Sequence, residues 1–246
     1  MIKLTRPPAP EELTEEKIAE LTEEFKRSGK RVWAENYIKE ALLAISNNKC
    51  CYCECRLEVN SEYMEIEHFH PKSKYPDRVV MWDNLLPCCK RCNSSKSDHD
   101  TYKEPVINPA EINPKDHLRL EDYRYKPKTP LGEKTIEVVY LNDTDRLGKE
   151  RWKTGEAVQN SIEDLLALAI EYESSKSART RNRVTRGLKQ IQEDCLPSSQ
   201  YCATAGSILL KDDNYYKLKD ILIKYTLWDD ELKENEAVIK EYAFDR

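Results

Sequence analysis

Glycine is scarce in this chain, and no long apolar run interrupts it. Only six glycines occur in 246 residues, and the closest two, Gly148 and Gly155, stand seven apart. Neither G-x-G-x-x-G nor G-x-x-x-x-G-K-[ST] can therefore be written anywhere, so any nucleotide chemistry belongs to a partner. The longest unbroken apolar stretch, Leu165–Ile170, has six residues, against the ~18 of a membrane helix, and the MIKLTRPPAP opening has no signal-peptide core. Membrane insertion and secretion are not expected. Positive charge is not in excess either: 40 Lys and Arg face 45 Asp and Glu, a net −5. That balance argues against a protein that coats nucleic acid over its whole surface. Histidine is rare, with four in the chain, so two placed close together carry information.

Cysteine is what the chain has instead. Seven of the nine lie in two short clusters, Cys50–Cys55 and Cys88–Cys92. Disulfide scaffolds of secreted proteins are smaller and spread their cysteines, so this clustering reads as metal ligation in a reducing cytoplasm. Only Cys50-x2-Cys53 and Cys89-x2-Cys92 have the spacing that folds two thiolates onto one tetrahedral ion, and together they predict a closed structural Zn²⁺ site. Cys51, Cys55 and Cys88 are left over as small buried thiols, with Cys51 and Cys88 expected to point away from the ion. Between the knuckles lie residues 54–88, more than the ~15–20 of a compact zinc ribbon. The chemistry should sit in that insert.

A length of 246 residues with 39% hydrophobic and 35% charged residues supports one sizeable core or two modest ones in a soluble protein. Leu13, Ile18, Leu21 and Phe25, followed by Gly29, predict a helix over 11–27, and Val32, Ile38, Ala41, Leu42 and Ile45 a second one running to the first knuckle. Residues 62–69 alternate as a strand, Pro71 breaks it, and a new ordered stretch begins at Trp82, so the insert and second knuckle read as a small hairpin plus helix. Five prolines make 104–134 a loop-rich connector with room for one hairpin, and Thr135–Tyr140 reads as a strand. After the capping run Asn142-Asp143-Thr144, helices are expected at 145–172, 177–194, 213–227 and 231–243. The fold class is α+β and predominantly helical. Four segments result: a helical 1–48, a cysteine-clamped core 49–103, a Pro-rich connector 104–142 and a helical region 143–246.

The insert holds Ile66-Glu67-His68-Phe69-His70-Pro71-Lys72-Ser73 and Trp82-Asp83-Asn84-Leu85-Leu86, and the second knuckle runs into Asn93-Ser94-Ser95-Lys96-Ser97-Asp98. An acid before a histidine, Pro-Lys after it, an asparagine in W-x-N-L-L and a closing C-x2-C-N-x2-K do not coincide by chance. A neutral imidazole can take a proton from water at physiological pH, and a hard divalent cation suits carboxylate and amide oxygens. Residues 70–103 carry seven Lys or Arg against four Asp, net +3, whereas 11–24 carry seven Glu and one Lys, net −6. Phosphate contact is therefore expected at the insert, with His70, Lys72 and Lys96 as candidates. His99 and His117 have no comparable neighbours and read as surface residues.

These residues resemble the HNH endonucleases, in the variant whose ββα-metal fold is clamped by four cysteines. The resemblance implies His68 as general base, Asn84 as the residue that orients it, and Glu67 and Asn93 as ligands of a catalytic Mg²⁺ or Mn²⁺. Asn93 stands where many relatives have His, and Glu67 where Asp is frequent. With the Ile2-Lys-Leu-Thr-Arg-Pro lead and T-I-E-V-x-x-L-N, the chain is similar to the HNH subunits of Septu-type anti-phage systems. That family implies DNA as substrate and an ATPase subunit as partner. Two other readings use parts of the same motif: a stand-alone restriction or homing nuclease, and a non-catalytic zinc-knuckle adaptor lacking the need for His68. A second basic run, Ser174–Gln192, places Lys176, Arg179, Arg183 and Arg186 on one helical face, either as a solvated surface or as a stripe for DNA or a partner.

Overall fold

The computed structural model describes residues 1–57 and 64–244. The chain divides into two compact units, Met1–Leu118 with Lys126–Asn142, and Arg119–Tyr125 with Asp143–Arg246. Helix predominates, with two small two-stranded sheets. Among the described residues no helix is long and apolar enough to cross a membrane.

In the first unit, α1 (Glu15–Ser28) starts where Thr14 accepts the Lys17 amide and stops at Gly29, whose φ of 69° is the left-handed value glycine tolerates best. A turn at Pro10–Leu13 delays the helix past the expected residue 11. The apolar side of α2 (Asn36–Ile45) buries Ile38, Leu42, Leu43 and Ile45. β1 (Met64–His68) and β2 (Leu85–Cys89) then pair antiparallel, Met64 opposite Cys89 and His68 opposite Leu85. Glu62 and Tyr63, the start of the expected strand, lie outside the described residues. α3 (Lys90–Lys96) follows β2 without a loop and packs on both strands. The expected hairpin and helix are thus present.

Further on, β3 (Leu118–Glu121) and β4 (Arg124–Pro127) form the connector's hairpin. Asp122 and Tyr123, both at positive φ, make the two-residue turn whose twist suits such a pair. The strand expected at 135–140 is instead part of α4 (Pro130–Val139). Thr129 caps it by accepting the Gly132 amide, Pro130 occupies a position where no N–H is required, and Thr135 and Val139 bury at helical spacing. Capping and burial override the β-branched preference of Ile136, Val138 and Val139. A Cβ at residue 132 would fall 2.1 Å from the His117 carbonyl oxygen, so glycine is needed where the helix crosses that backbone.

The second unit is a helical bundle. Asp143 caps a single π-helical turn, Thr144–Gly148, that leads into α5 (Lys149–Ser175); α6 (Ala178–Asp194), α7 (Cys202–Leu209), α8 (Asp213–Lys224) and α9 (Asp230–Tyr242) follow. Ile162, Leu188, Leu209, Tyr215, Leu218, Leu232 and Ile239 form its core. α7, which no periodicity announced, is buried at seven of eight positions; a helix covered on all sides has no amphipathic stripe to read.

Candidate active site

Both knuckles are built by backbone bonds. In the first, Cys50 N–H donates to Cys55 O, Glu54 N–H donates to Cys50 O, and Glu54 turns the chain at φ 65°. Cys51 N–H donates to Pro87 O, which ties that loop to β2. In the second, Cys89 is the N-cap of α3 and its sulfur accepts the Cys92 amide at 3.5 Å. The sulfurs of Cys50, Cys53, Cys89 and Cys92 lie within 4.8 Å of one another and all four residues are buried. Cys53 and Cys89 are 3.8 Å apart, close to the edge of a tetrahedron with metal–sulfur bonds of ~2.3 Å. The donor set fits zinc. Cys51 and Cys88 do not point away: with Cys50 they form a second group of mutually close sulfurs, Cys88 reaching to 3.9 Å from Cys50. Adjacent residues 50 and 51 sit in a tight turn, which does not alternate sides as a strand would.

The end of β1, α3 and the residues that follow each border an open cavity of about 430 Å³ lined by Glu67, His68, Lys72 and Asn93, with Phe25, Pro71, Ser73, Ser94, Ser97 and Asp98. Strand alternation turns Glu67 toward α3 and His68 toward the opposite side. Both nonetheless line one cavity, because β1 ends at His68 and the space lies beyond its end. The adjacent Glu67 and His68 of β1 and Asn93 of α3, 25 residues beyond His68, are brought together here.

His68 is 4% exposed. Its Nε2 lies 2.9 Å from Val79 O; a carbonyl only accepts, so Nε2 carries the proton and donates, leaving Nδ1 as the lone-pair nitrogen. The edge of Trp33 packs on the ring at 4.8 Å, and Phe25 packs on Trp33. Burial pushes the imidazole down to about 3, and the charge of Lys72 acts in the same direction. Lys72 itself sits 4.9 Å over the Trp33 ring, its ammonium lowered by burial. Phe25 and Trp33 come from the helical lead, and no local motif pointed to them.

Glu67 is 1% exposed and pairs with Lys96 Nζ at 2.5 Å. Burial pushes its carboxyl up to about 7 against the pull of Lys96. Lys96, a candidate phosphate contact from sequence, is instead fully buried and also donates to His68 O at 3.1 Å, out of reach of a phosphate. Asn93 Nδ2 donates to Glu65, which settles the amide's orientation and leaves Oδ1 as a free oxygen donor. Glu65 was missed; its signal was the i,i+2 pairing with Glu67 on one strand face. Carboxylate and amide oxygen at one cavity suit a hard divalent cation.

Asn84 makes no hydrogen bond to the His68 ring. Its amide accepts from His70 N–H at 2.7 Å and donates to His70 O and Arg78 O at 3.1 and 2.9 Å. It thereby fixes the loop whose next residue, Val79, holds the imidazole, and so acts by positioning. His70 stacks on Tyr102 at 3.7 Å and its Nδ1 lies 2.7 Å from Thr101 Oγ1. Because that hydroxyl donates to Phe69 O, His70 Nδ1–H is the donor, and His70 is locked into the wall behind the strand. Burial, aided by Arg78, lowers it to about 4. His99 and His117 are half-buried and bonded to Glu104 O and Thr129 Oγ1.

A family model described as HNH endonuclease matches residues 50–102, which hold both knuckles and the cavity residues Glu67, His68 and Asn93. The chain is 45% identical to the Septu protein PtuB of Bacillus thuringiensis over 233 residues, spanning 94% of this chain and 90% of that one. It is 32% identical to the Septu protein PtuB of Bacillus mycoides (strain KBAB4) over an alignment covering 50% of this chain and 52% of the relative. No solved structure matches. Identity at that level along nearly the full length of both chains means that the protein belongs to the PtuB family of Septu proteins and carries its HNH endonuclease domain.

Proposed function

We propose that this chain is a metal-dependent nuclease that hydrolyses DNA phosphodiester bonds as the effector of a Septu-type anti-phage system. The observation that carries the reading is the convergence of Glu67, His68 and Asn93 on one cavity, with the imidazole held by Val79 O in the tautomer a general base needs. His68 Nδ1 takes a proton from the attacking water, while the Nε2–H bond keeps the ring in place during the transfer. At neutral pH essentially every copy of a ring with so low a proton affinity is unprotonated and ready. Lys72, half-buried on Trp33, faces the cavity as the cation for the substrate's phosphate. Mg²⁺ or Mn²⁺ held by the Glu67 carboxylate and Asn93 Oδ1 would stabilise charge on the phosphoryl and leaving oxygens. Zinc on Cys50, Cys53, Cys89 and Cys92 would pin the first knuckle to the start of α3 and so fix Asn93 one residue beyond Cys92.

On this reading residues 49–103 are the catalytic core, flanked by helical segments 1–48 and 143–246 and the connector 104–142. With no phosphate-binding loop in the sequence, an ATPase subunit of the PtuA kind supplies the nucleotide response. Plasmid cleavage with Mg²⁺ tests the assignment: the wild type should cut while His68→Ala and Asn93→Ala lose at least a hundredfold. Equal activity in all three would refute it. Co-purification from cells carrying the native operon tests the ATPase partner, and recovery of the chain alone would count against it.

A further inference from the structure

Six cations lie on α6 or, for Lys176, two residues before it, and they differ in what they touch; Arg181 bonds its neighbour Asn182. Lys176 lies 3.5 Å over the Tyr225 ring, and Lys189 pairs with Asp229 and with Glu231. Those two cations hold the bundle together. Arg179, Arg183 and Arg186 are exposed, lie on the side opposite buried Thr180, Val184, Leu188 and Ile191, and form no ion pair or hydrogen bond with any described residue. From Ala178 to Gln192 there is no acidic residue. At 1.5 Å per residue the three guanidiniums cover about 10 Å of helix axis, close to three phosphate-to-phosphate steps along one strand of duplex DNA at ~3.4 Å each.

We infer that the exposed face of α6 formed by Arg179, Arg183 and Arg186 is a second nucleic-acid contact, gripping the sugar-phosphate backbone without reading sequence. Guanidinium forks match phosphate oxygens in pairs. An acidic protein partner would also meet the charge, but protein interfaces centre on apolar or aromatic anchors. None of the exposed large hydrophobic residues of the chain lies on α6; the neighbours of the arginines on that face are Asn182 and Gln190. A backbone contact needs no such anchor. The inference depends on the substrate being a nucleic acid, as proposed above, but not on the roles given to His68, Glu67 and Asn93.

The test uses the full chain carrying His68→Ala, with a fluorescent 30-base-pair duplex, without Mg²⁺, over a NaCl series. Adding Arg179→Gln, Arg183→Gln and Arg186→Gln should reduce the slope of log K against log[salt] by about 2–3, at ~0.9 per phosphate lost, and weaken binding at least tenfold at the lowest salt. The corresponding triple Lys variant, which keeps the charges, should retain most of the slope, and so should neutralising Lys153, Lys217 and Lys233 elsewhere in the same unit. An unchanged slope in the Gln variant, or no binding by the starting protein, overturns the inference; in the first case an acidic protein partner takes its place. Cleavage by the triple Gln variant restored to His68 reads out separately, so failure of the hydrolytic assignment and failure of this one are distinguishable.

Discussion

Lys96→Met separates a buried structural cation from a phosphate-binding one. Lys96 and Glu67 side chains are 0% and 1% exposed and 2.5 Å apart, and methionine keeps the length of the stem while deleting the charge. Removing one partner of a buried pair typically costs about 3–5 kcal/mol, because the survivor is left charged in a poor dielectric. Glu67 has an escape, since it can take up a proton. With Lys96 in place its carboxyl already sits at about 7 rather than 4.5, and without Lys96 it moves higher. Between the unfolded and folded values the native state holds a proton that the unfolded chain has released, so stability falls by about 1.4 kcal/mol per pH unit as pH rises. In the wild type that decline ends near pH 7; in the variant it continues. Urea unfolding followed by tryptophan fluorescence, with zinc constant and no Mg²⁺, should therefore show a deficit of about 1–2 kcal/mol at pH 5.5, mainly the lost bond to His68 O, growing to about 3–5 kcal/mol at pH 8.5. Glu67→Gln in the same chain should recover most of the high-pH loss. A pH-independent deficit, or one under about 1 kcal/mol at pH 8.5, would refute the buried-pair argument; a lysine reaching for phosphate would instead weaken DNA binding and leave unfolding unchanged.

Three further outcomes follow from the same geometry. Because His68 is neutral above about 3 while Glu67 gains its charge near 7, the acid limb of the cleavage profile should report Glu67. Tenfold more Mg²⁺ should move it down by up to about one pH unit, as ion and proton compete for one carboxylate, whereas a limb indifferent to Mg²⁺ would assign it to another group. Glu65→Ala frees the Asn93 amide to rotate and should raise the Mg²⁺ midpoint for cleavage by about 10–100-fold; Glu65→Gln can still accept from Nδ2 and should do less, and an unmoved midpoint in the alanine variant would show that Glu65 positions nothing. Asn84→Ala removes three bonds inside the loop that carries Val79, costing roughly 2–4 kcal/mol by chemical denaturation and lowering kcat more than it raises the Mg²⁺ midpoint; a normal kcat would separate the loop from the base.

Residue types that must meet an ion or a proton were legible because chemistry fixes their spacing. Two Cys-x2-Cys pairs predict four converging sulfurs, and the residues between them, with those just after the second pair, line most of the cavity. Residues whose role depends on packing were not. Lys96 reads as a phosphate contact because lysines are seldom buried, and only the fold shows Glu67 against it. Trp33 and Phe25 are apolar positions in a helical lead, indistinguishable in sequence from ordinary core. The misread 135–140 segment shows the same limit: its β-branched residues favour a strand locally, while the Thr129 cap and the close crossing at Gly132 lie upstream and decide for a helix.

Burial presents His68, in its proposed role as base, with two opposing demands. Burial under Trp33 keeps the imidazole unprotonated but also makes it a reluctant proton acceptor, and the Val79 carbonyl that holds the ring in place pulls the other way. Lys72 deepens that reluctance while the cavity is empty of anion. On the proposed mechanism a phosphodiester seated against Lys72 would cancel much of its repulsion, so the substrate's own charge would restore proton affinity to the ring at the moment it is needed. Negative charge growing on the phosphoryl oxygens carries the effect further along the reaction path, since an imidazolium beside an anion is stabilised in a site with little water. The charge of Lys96, paired with Glu67 and bonded to His68 O, lowers the ring's proton affinity in the same direction as Lys72.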